Sequence, residues 1–189
     1  MRAVEAVKTK EDIQLVEHLF RKHYGELYAD LWRIGVNMAL RISDLLAIRY
    51  KDIDLDQDKP SYELKEGKTG KIRRIRINET AKAIIEKRRK AHPTDTYLFQ
   101  VHSNRTSSMD PKPVSRFTVA KRFKDVGETV GVPLGTHSMR KSRGWAMHNA
   151  GVPIEKIAMV LNHSTPAVTM RYLGITDEEV QETYEAFEL

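Results

Sequence analysis

The sequence predicts an α+β domain, mainly α-helical, with a small three-stranded antiparallel sheet in its first half. Two observations lead there. Apolar residues recur at helical spacing along most of the chain, as in Ile13, Val16, Leu19 and Phe20. Between Ile53 and Ile77 the spacing drops to two, and turn residues divide the segment into short pieces. The length of 189 residues suits one domain with a real core. No apolar run approaches the ~20 residues of a membrane span.

The elements follow in order. Thr9-x-x-Asp12 is a capping box for a helix over 10–23. A second helix, about 28–41, aligns Leu31, Ile34, Met38 and Ala39 and ends on Arg41, where a cation suits the helix dipole. Ser43 is the expected cap of a short third helix through Ile48, with Asp44 in its first turn. Three strands are expected at Ile53–Leu55, Tyr62–Leu64 and Ile72–Ile77, the last with a basic outer face. Glu66-Gly67-Lys68-Thr69-Gly70-Lys71 is the turn before that strand, which places Lys68 on a hairpin tip. Gly67-Lys68-Thr69 is not a phosphate-binding loop, because position 62 is Tyr and a strand follows instead of a helix.

Asn78 caps a basic helix over about 79–91, and Ser115 caps another to about Val130. Residues 92–114 form a long connection with one apolar piece, Tyr97-Leu98-Phe99. Thr136 is the expected cap of a helix to about Asn149, with Gly151 as its stop. Pro153 opens the next helix, which buries Ile154, Ile157, Ala158 and Leu161. His163 and Tyr172 are nine apart and on one straight helix would point in roughly opposite directions. Thr165-Pro166 supplies the break, so a corner His163 and a late-helix Tyr172 can face one site. In the tail, Val180, Tyr184 and Phe187 recur at helical spacing.

There are no cysteines, which excludes disulfides, zinc–thiolate sites and cysteine nucleophiles. The net charge is +6, but residues 177–189 carry six acids and no Lys or Arg, leaving 32 basic against 20 acidic residues over 1–176. A basic body with an acidic tail points to a polyanion, most simply nucleic acid. A solvated basic face is the alternative on charge alone. The first residues, Met1-Arg2-Ala3-Val4-Glu5, have no export signal's apolar region, so nothing directs export and a cytoplasmic protein is expected.

The stretch from Thr136 to Tyr172 concentrates the chemistry: His137-x-x-Arg140, Asn162-His163-Ser164 and Met170-Arg171-Tyr172. Guanidiniums grip phosphate oxygens bidentately with permanent charge. Histidine donates to phosphate or relays a proton near neutral pH. A tyrosine hydroxyl, pKa ~10, attacks phosphorus only with such help. Each residue taken singly also has a plainer reading. Tyr172 can be a packing residue like Tyr24 or Tyr50, His163 a helix cap, Arg41 with Asp44 a surface ion pair, and Lys68 a solvated charge that Lys65 or Lys71 would replace if the hairpin register differs.

Residues 28–175 resemble the catalytic domain of the tyrosine recombinases, the phage-integrase family. The resemblance is carried by Ala39-Leu40-Arg41-Ile42-Ser43-Asp44, Gly67-Lys68-Thr69-Gly70, Thr136-His137-Ser138-Met139-Arg140, Leu161-Asn162-His163-Ser164 and Met170-Arg171-Tyr172, in that order. It implies that Arg41 and Arg140 clamp a scissile phosphate, with Lys68 as general acid and His137 as proton acceptor or donor. It also implies that His163 donates to the phosphate and Tyr172 forms a transient 3′-phosphotyrosine link, without metal, ATP or other cofactor. Arg73, Arg74, Arg76, Lys121, Arg122, Lys124, Lys141 and Arg143 are the expected contacts to double-stranded DNA as a group.

The resemblance further implies a catalytic domain over 1–176, a helical tail over 177–189 that docks in cis or on a neighbouring protomer, and a dimer or tetramer on DNA, with or without an accessory DNA-bending protein. Most members carry a separate amino-terminal helical domain, and the segment before residue 28 is too short to be one. A short recombinase and a piece of a longer one both fit. A type IB topoisomerase, or a non-catalytic DNA-binding regulator with the same fold, are the alternative functions; the full residue set argues against the last.

Overall fold

The computed structural model describes residues 4–65, 70, 72–102 and 110–175. The expected α+β architecture is present: helices α1 (Lys10–Tyr24), α2 (Glu26–Met38) and α3 (Ile42–Leu46), strands β1 (Ile53–Asp54), β2 (Ser61–Lys65) and β3 (Ile72–Arg76), then α4 (Glu79–Ala91), α5 (Arg116–Val130), α6 (Ser138–Asn149), α7 (Ile154–Leu161) and α8 (Pro166–Leu173). The sheet runs β1-β2-β3, antiparallel throughout, with Ile53 opposite Tyr62 and Lys65 opposite Ile72. On β3, Arg74 and Arg76 face solvent while Ile75 turns inward.

Side-chain caps start the helices where the sequence places them. Thr9, Asn78, Ser115 and Thr165 accept from the backbone N–H three positions on. Two expected ends move. The second helix stops at Met38, because Ala39 takes a left-handed conformation (φ 51°). Arg41 therefore does not end α2; it is the extended residue (φ −65°, ψ 148°) that opens α3 in place of Ser43, and α3 stops at Leu46. Thr136 is not the cap of α6 either. His137 opens that helix, and the turn is held by Ser138, whose hydroxyl accepts from Gly135 N–H at 3.1 Å.

The larger core lies between α1, α2, α4, α5 and the inner face of the sheet. Phe20, Trp32 and Phe123 form its aromatic centre, with ring centroids 4.7–6.0 Å apart. Buried Asp30 is neutralised by Arg88 at 3.2 Å and Lys87 at 2.7 Å, as a buried carboxylate requires. Leu98 and Phe99, the apolar piece of the long connection, are fully buried in this core. A smaller core joins Ala39, Ile157, Leu161 and Leu173 under α6–α8. The two cores meet where α6 crosses α2. A Cβ at Gly35 would collide with Met139 Sδ, so any larger residue there requires the buried Met139 side chain to move. Ser142 on α6 is buried and accepts from Val7 N–H at 2.8 Å, pinning the incoming chain.

Candidate active site

The polar residues of interest gather at the seam between the two cores. Their backbone settings come first. The left-handed Ala39 turns the chain at the end of α2 and exposes its carbonyl; Arg41 follows two residues on. At the far side, α7 ends on Asn162, also left-handed (φ 48°), a conformation that Asn tolerates. That turn leaves the carbonyls of Leu161 and Asn162 available and places His163 in the corner, its N–H bonded to Ala158 O at 2.9 Å.

Arg140 joins these parts. Its guanidinium, only 3% exposed, donates to Ala39 O at 2.5 Å and to Leu161 O. Arg41 donates to Asn162 O at 3.3 Å. Two guanidiniums, each a fork of five N–H donors, thus anchor on main-chain carbonyls from both sides of the seam. The Tyr172 hydroxyl lies beside Arg140 and donates to His137 O at 3.3 Å. The Tyr172 ring meets His163 edge-on at 4.9 Å and His137 at 6.4 Å, and Lys141 Nζ stands 5.3 Å from its centroid.

The electrostatics follow from burial and from this density of cations. Burial raises the Tyr172 pKa above the ordinary phenol value, and the Arg140 and Arg41 charges pull against that rise. The phenol is protonated at neutral pH. His163 is pushed down to about 4, first by burial and then by Arg140 and Arg41, so it is neutral. His137, with part of its ring in solvent, is lowered by the same causes in the same order, with Arg116 and Lys141 adding to them. Arg140 itself is lowered by burial but stays charged, as guanidiniums do.

Arg41, His137, Arg140, His163 and Tyr172 therefore gather in one cluster. Lys68, and Lys71 as its substitute, lie outside the described residues, as does the 177–189 tail; Lys65 is exposed at the end of β2. The basic residues divide. Arg74 and Arg76 are exposed on β3, and Lys121 and Lys124 on α5. Arg143 is half-buried on α6. Several also hold local structure: Arg74 donates to Ser61 Oγ and to Gln57 Oε1 at 3.1 Å each, Arg76 donates to Lys59 O at 3.1 Å, and Lys124 stands 3.7 Å from Glu128. Arg73 donates to Val160 O at 3.0 Å, and Arg122 lies 4.4 Å from the Tyr24 ring and pairs with Asp125 at 3.8 Å. Lys141 belongs to the cluster around Tyr172, by its position over that ring.

One residue was missed. Thr169, fully buried on α8, bonds His163 Nδ1 through its hydroxyl at 3.0 Å. The signal was available in the sequence: Thr169 stands one turn before Tyr172 on the helix that Thr165-Pro166 opens, so it faces the same side.

The chain matches the model described as the phage integrase family over residues 7–179. It is 34% identical over 189 residues to "Probable integrase/recombinase YoeC" of Bacillus subtilis, covering 99% of this chain and 98% of that one. Tyrosine recombinase XerA of Pyrococcus horikoshii is 30% identical over 152 residues, 79% of this chain and 51% of XerA, so the chain spans about half the length of that relative. Among solved structures, the Tn1549 transposon integrase in complex with transposon right end DNA superposes with a TM-score of 0.72 at 16% identity, over 99% of this chain and 67% of that one. The XerH site-specific recombinase bound to palindromic difH substrate superposes with a TM-score of 0.71 at 15% identity, over 95% and 51%.

Proposed function

The chain belongs to the phage integrase family and is a site-specific tyrosine recombinase; we propose that it cuts and rejoins DNA with Tyr172 as the nucleophile. One observation carries this reading: the Tyr172 hydroxyl lies beside the buried Arg140 guanidinium, with His163 against its ring. Arg41 and Arg140 would take the non-bridging oxygens of the scissile phosphate, placing fixed positive charge where the pentavalent transition state gathers negative charge. Two such donors, each worth about 3 kcal/mol, supply what a metal ion would otherwise provide.

His163 is a neutral imidazole whose Nδ1 lies on the Thr169 hydroxyl. With Thr169 as donor, the ring proton sits on Nε2 and serves the phosphate. The Tyr172 oxygen forms a bond to phosphorus as the bond to the 5′-oxygen breaks. The phenol proton leaves to a base, for which His137 is the nearest imidazole besides His163. The departing 5′-oxygen takes a proton from an acid, the role assigned to Lys68. The product is a 3′-phosphotyrosyl strand end and a free 5′-hydroxyl, and the reverse attack reseals DNA without ATP.

The basic face on β3 and α5 supports binding of duplex DNA through its phosphates. The active form is proposed to be a dimer or tetramer on DNA, with residues 177–189 docking as a separate tail beyond the 1–176 catalytic unit, and a DNA-bending protein as an accessory. Among the described residues, no helix is long and apolar enough to cross a membrane.

The test is a nicked suicide duplex carrying the cognate site, on which a covalent protein–DNA adduct should accumulate. Tyr172→Phe should form none while still binding the duplex. An adduct that persists in Tyr172→Phe would remove Tyr172 from the role.

A further inference from the structure

A cluster of metal-ligating side chains lies outside the residues around Tyr172. His92 caps the carboxyl end of α4, Asp95 lies in the turn that follows, and His102 comes after the buried Leu98-Phe99 piece. One nitrogen from each imidazole and one Asp95 carboxylate oxygen lie within 4.8 Å of one another. The two rings stack at 4.6 Å with 19° between their planes. His102 Nε2 is 3.0 Å from Asp95 Oδ2, and Gln100 Nε2 donates to Oδ1 at 3.1 Å. Asp95 is 4% exposed, whereas both histidines are exposed.

We propose that His92, Asp95 and His102 bind one divalent transition-metal ion of the zinc class, which staples the end of α4 to the 95–102 segment. Two imidazoles and one carboxylate are donors that borderline ions such as Zn²⁺ and Co²⁺ prefer, while nitrogen donors disfavour Mg²⁺ and Ca²⁺. Around a tetrahedral ion with bonds of about 2.0–2.1 Å, neighbouring donors stand roughly 3.4 Å apart. The His102–Asp95 spacing is already near that value, and rotation of two exposed rings closes the rest.

The buried carboxylate is the fixed member. Gln100 holds its other oxygen and Arg89 donates to its backbone carbonyl at 3.0 Å, the outer support that a ligating carboxylate needs. A cleft of about 280 Å³ reaches both imidazoles, bordered by His92, Gln100 and His102 and by Arg88, which is paired with Asp30; the proposal leaves the ion's fourth position to water. Without an ion, the arrangement is one partly exposed His102–Asp95 pair with a second imidazole laid on it. In the ion-bound form both rings turn out of that stack, so that their in-plane nitrogens converge on the ion beside the Asp95 oxygen.

The experiment titrates the untagged full chain with Zn²⁺ by calorimetry and with Co²⁺ by visible absorption. Binding of one ion per chain, a Co²⁺ band of a four- or five-coordinate centre, and a Tm that rises with Zn²⁺ are expected. His92→Ala and His102→Ala should each weaken binding about tenfold or more; His18→Ala, on the exposed face of α1, should not. Zn²⁺ should also protect His92 and His102 of the unaltered chain from acylation by diethylpyrocarbonate. Failure to bind one ion per chain, unchanged binding in both histidine variants, or unprotected His92 and His102 would overturn the proposal.

Discussion

Arg140 does two things with one guanidinium. It ties the carbonyls of Ala39 and Leu161 across the seam, and it sets a permanent charge beside the Tyr172 hydroxyl. Arg140→Lys keeps a charge but loses the planar fork, so one buried carbonyl goes unmatched, at about 1–3 kcal/mol. Single-turnover cleavage of nicked DNA by this variant should fall at least about 100-fold, with a lower urea midpoint. Thr169→Val is the subtler change. It preserves shape in a fully buried position and removes the partner of His163 Nδ1. Cleavage should fall about tenfold or more, with DNA affinity unchanged in a filter or gel-shift assay.

The pH dependence of stability comes from the same histidine. The folded value of His163 is about 4 and its ordinary value 6.5, so between them the unfolded chain binds more protons. The fold is therefore most stable above pH 6.5 with respect to this group and loses stability as pH falls toward 4. His137, also lowered, acts with the same sign. Urea unfolding at pH 7 and pH 5 should show that loss, and His163→Gln should flatten it.

Among the elements, α8 depends on α6 for its position. Gly144 of α6 faces it so closely that a Cβ would lie 2.8 Å from Leu173 Cδ2 and 3.1 Å from Leu161 Cδ1. Leu173 is next to Tyr172, so a branched side chain at 144 should displace Tyr172, the proposed nucleophile. Gly144→Val should reduce cleavage by about 100-fold or more, because a displacement near 1 Å is costly for in-line attack; duplex binding measured in parallel should change far less. The α8 break itself was legible, since Thr165-Pro166 is a start signal with a local mechanism. The end of α2 was not. Ala39 has no sequence feature that marks a left-handed residue; the turn is imposed by Arg140 on its carbonyl and by burial of its methyl in the smaller core. Thr136 failed as a cap for a related reason: the Gly135–Ser138 turn competes for the same N–H groups, and Ser138 holds it.

For the molecule as a whole, sequence legibility followed the side chains rather than the main chain. Helix spacing places His137 and Arg140 on one side of α6, whereas His163 and Tyr172 could be read as facing one site only through the Thr165-Pro166 break, and their roles only through the family resemblance. The carbonyls that orient Arg41 and Arg140 come from the ends of α2 and α7; Arg41 is 121 residues from Asn162 and Arg140 is 101 from Ala39, and no local pattern announces such contacts. The fold class was legible because the change of period between Ile53 and Ile77 is a local property. The surface charge acts at this scale too. Replacing Arg74 and Arg76 by Ala should weaken binding to all duplexes alike and reduce the salt slope by about 0.9 for each phosphate no longer neutralised. Affinity at several salt concentrations, on specific and random duplexes, measures both; a loss confined to one base position would mean direct reading of sequence. Cleavage should also persist in excess EDTA, because Arg41 and Arg140 supply the charge at phosphorus. A loss restored only by added metal, and seen equally in His102→Ala, which removes a ligand of the proposed structural ion, would require different chemistry.

The buried fork of Arg140 constrains how this protein can decay. A copy that loses this arginine sacrifices its architecture along with its reactivity, so it would be cleared rather than kept as a silent binder. An inert but durable version has an easier origin at Tyr172, whose hydroxyl donates to the His137 carbonyl at 3.3 Å beside Arg140, a guanidinium that the Ala39 and Leu161 carbonyls hold without it. With Tyr172 as the proposed nucleophile, removal of that hydroxyl oxygen should leave a scaffold able to occupy its sites indefinitely and cut none of them.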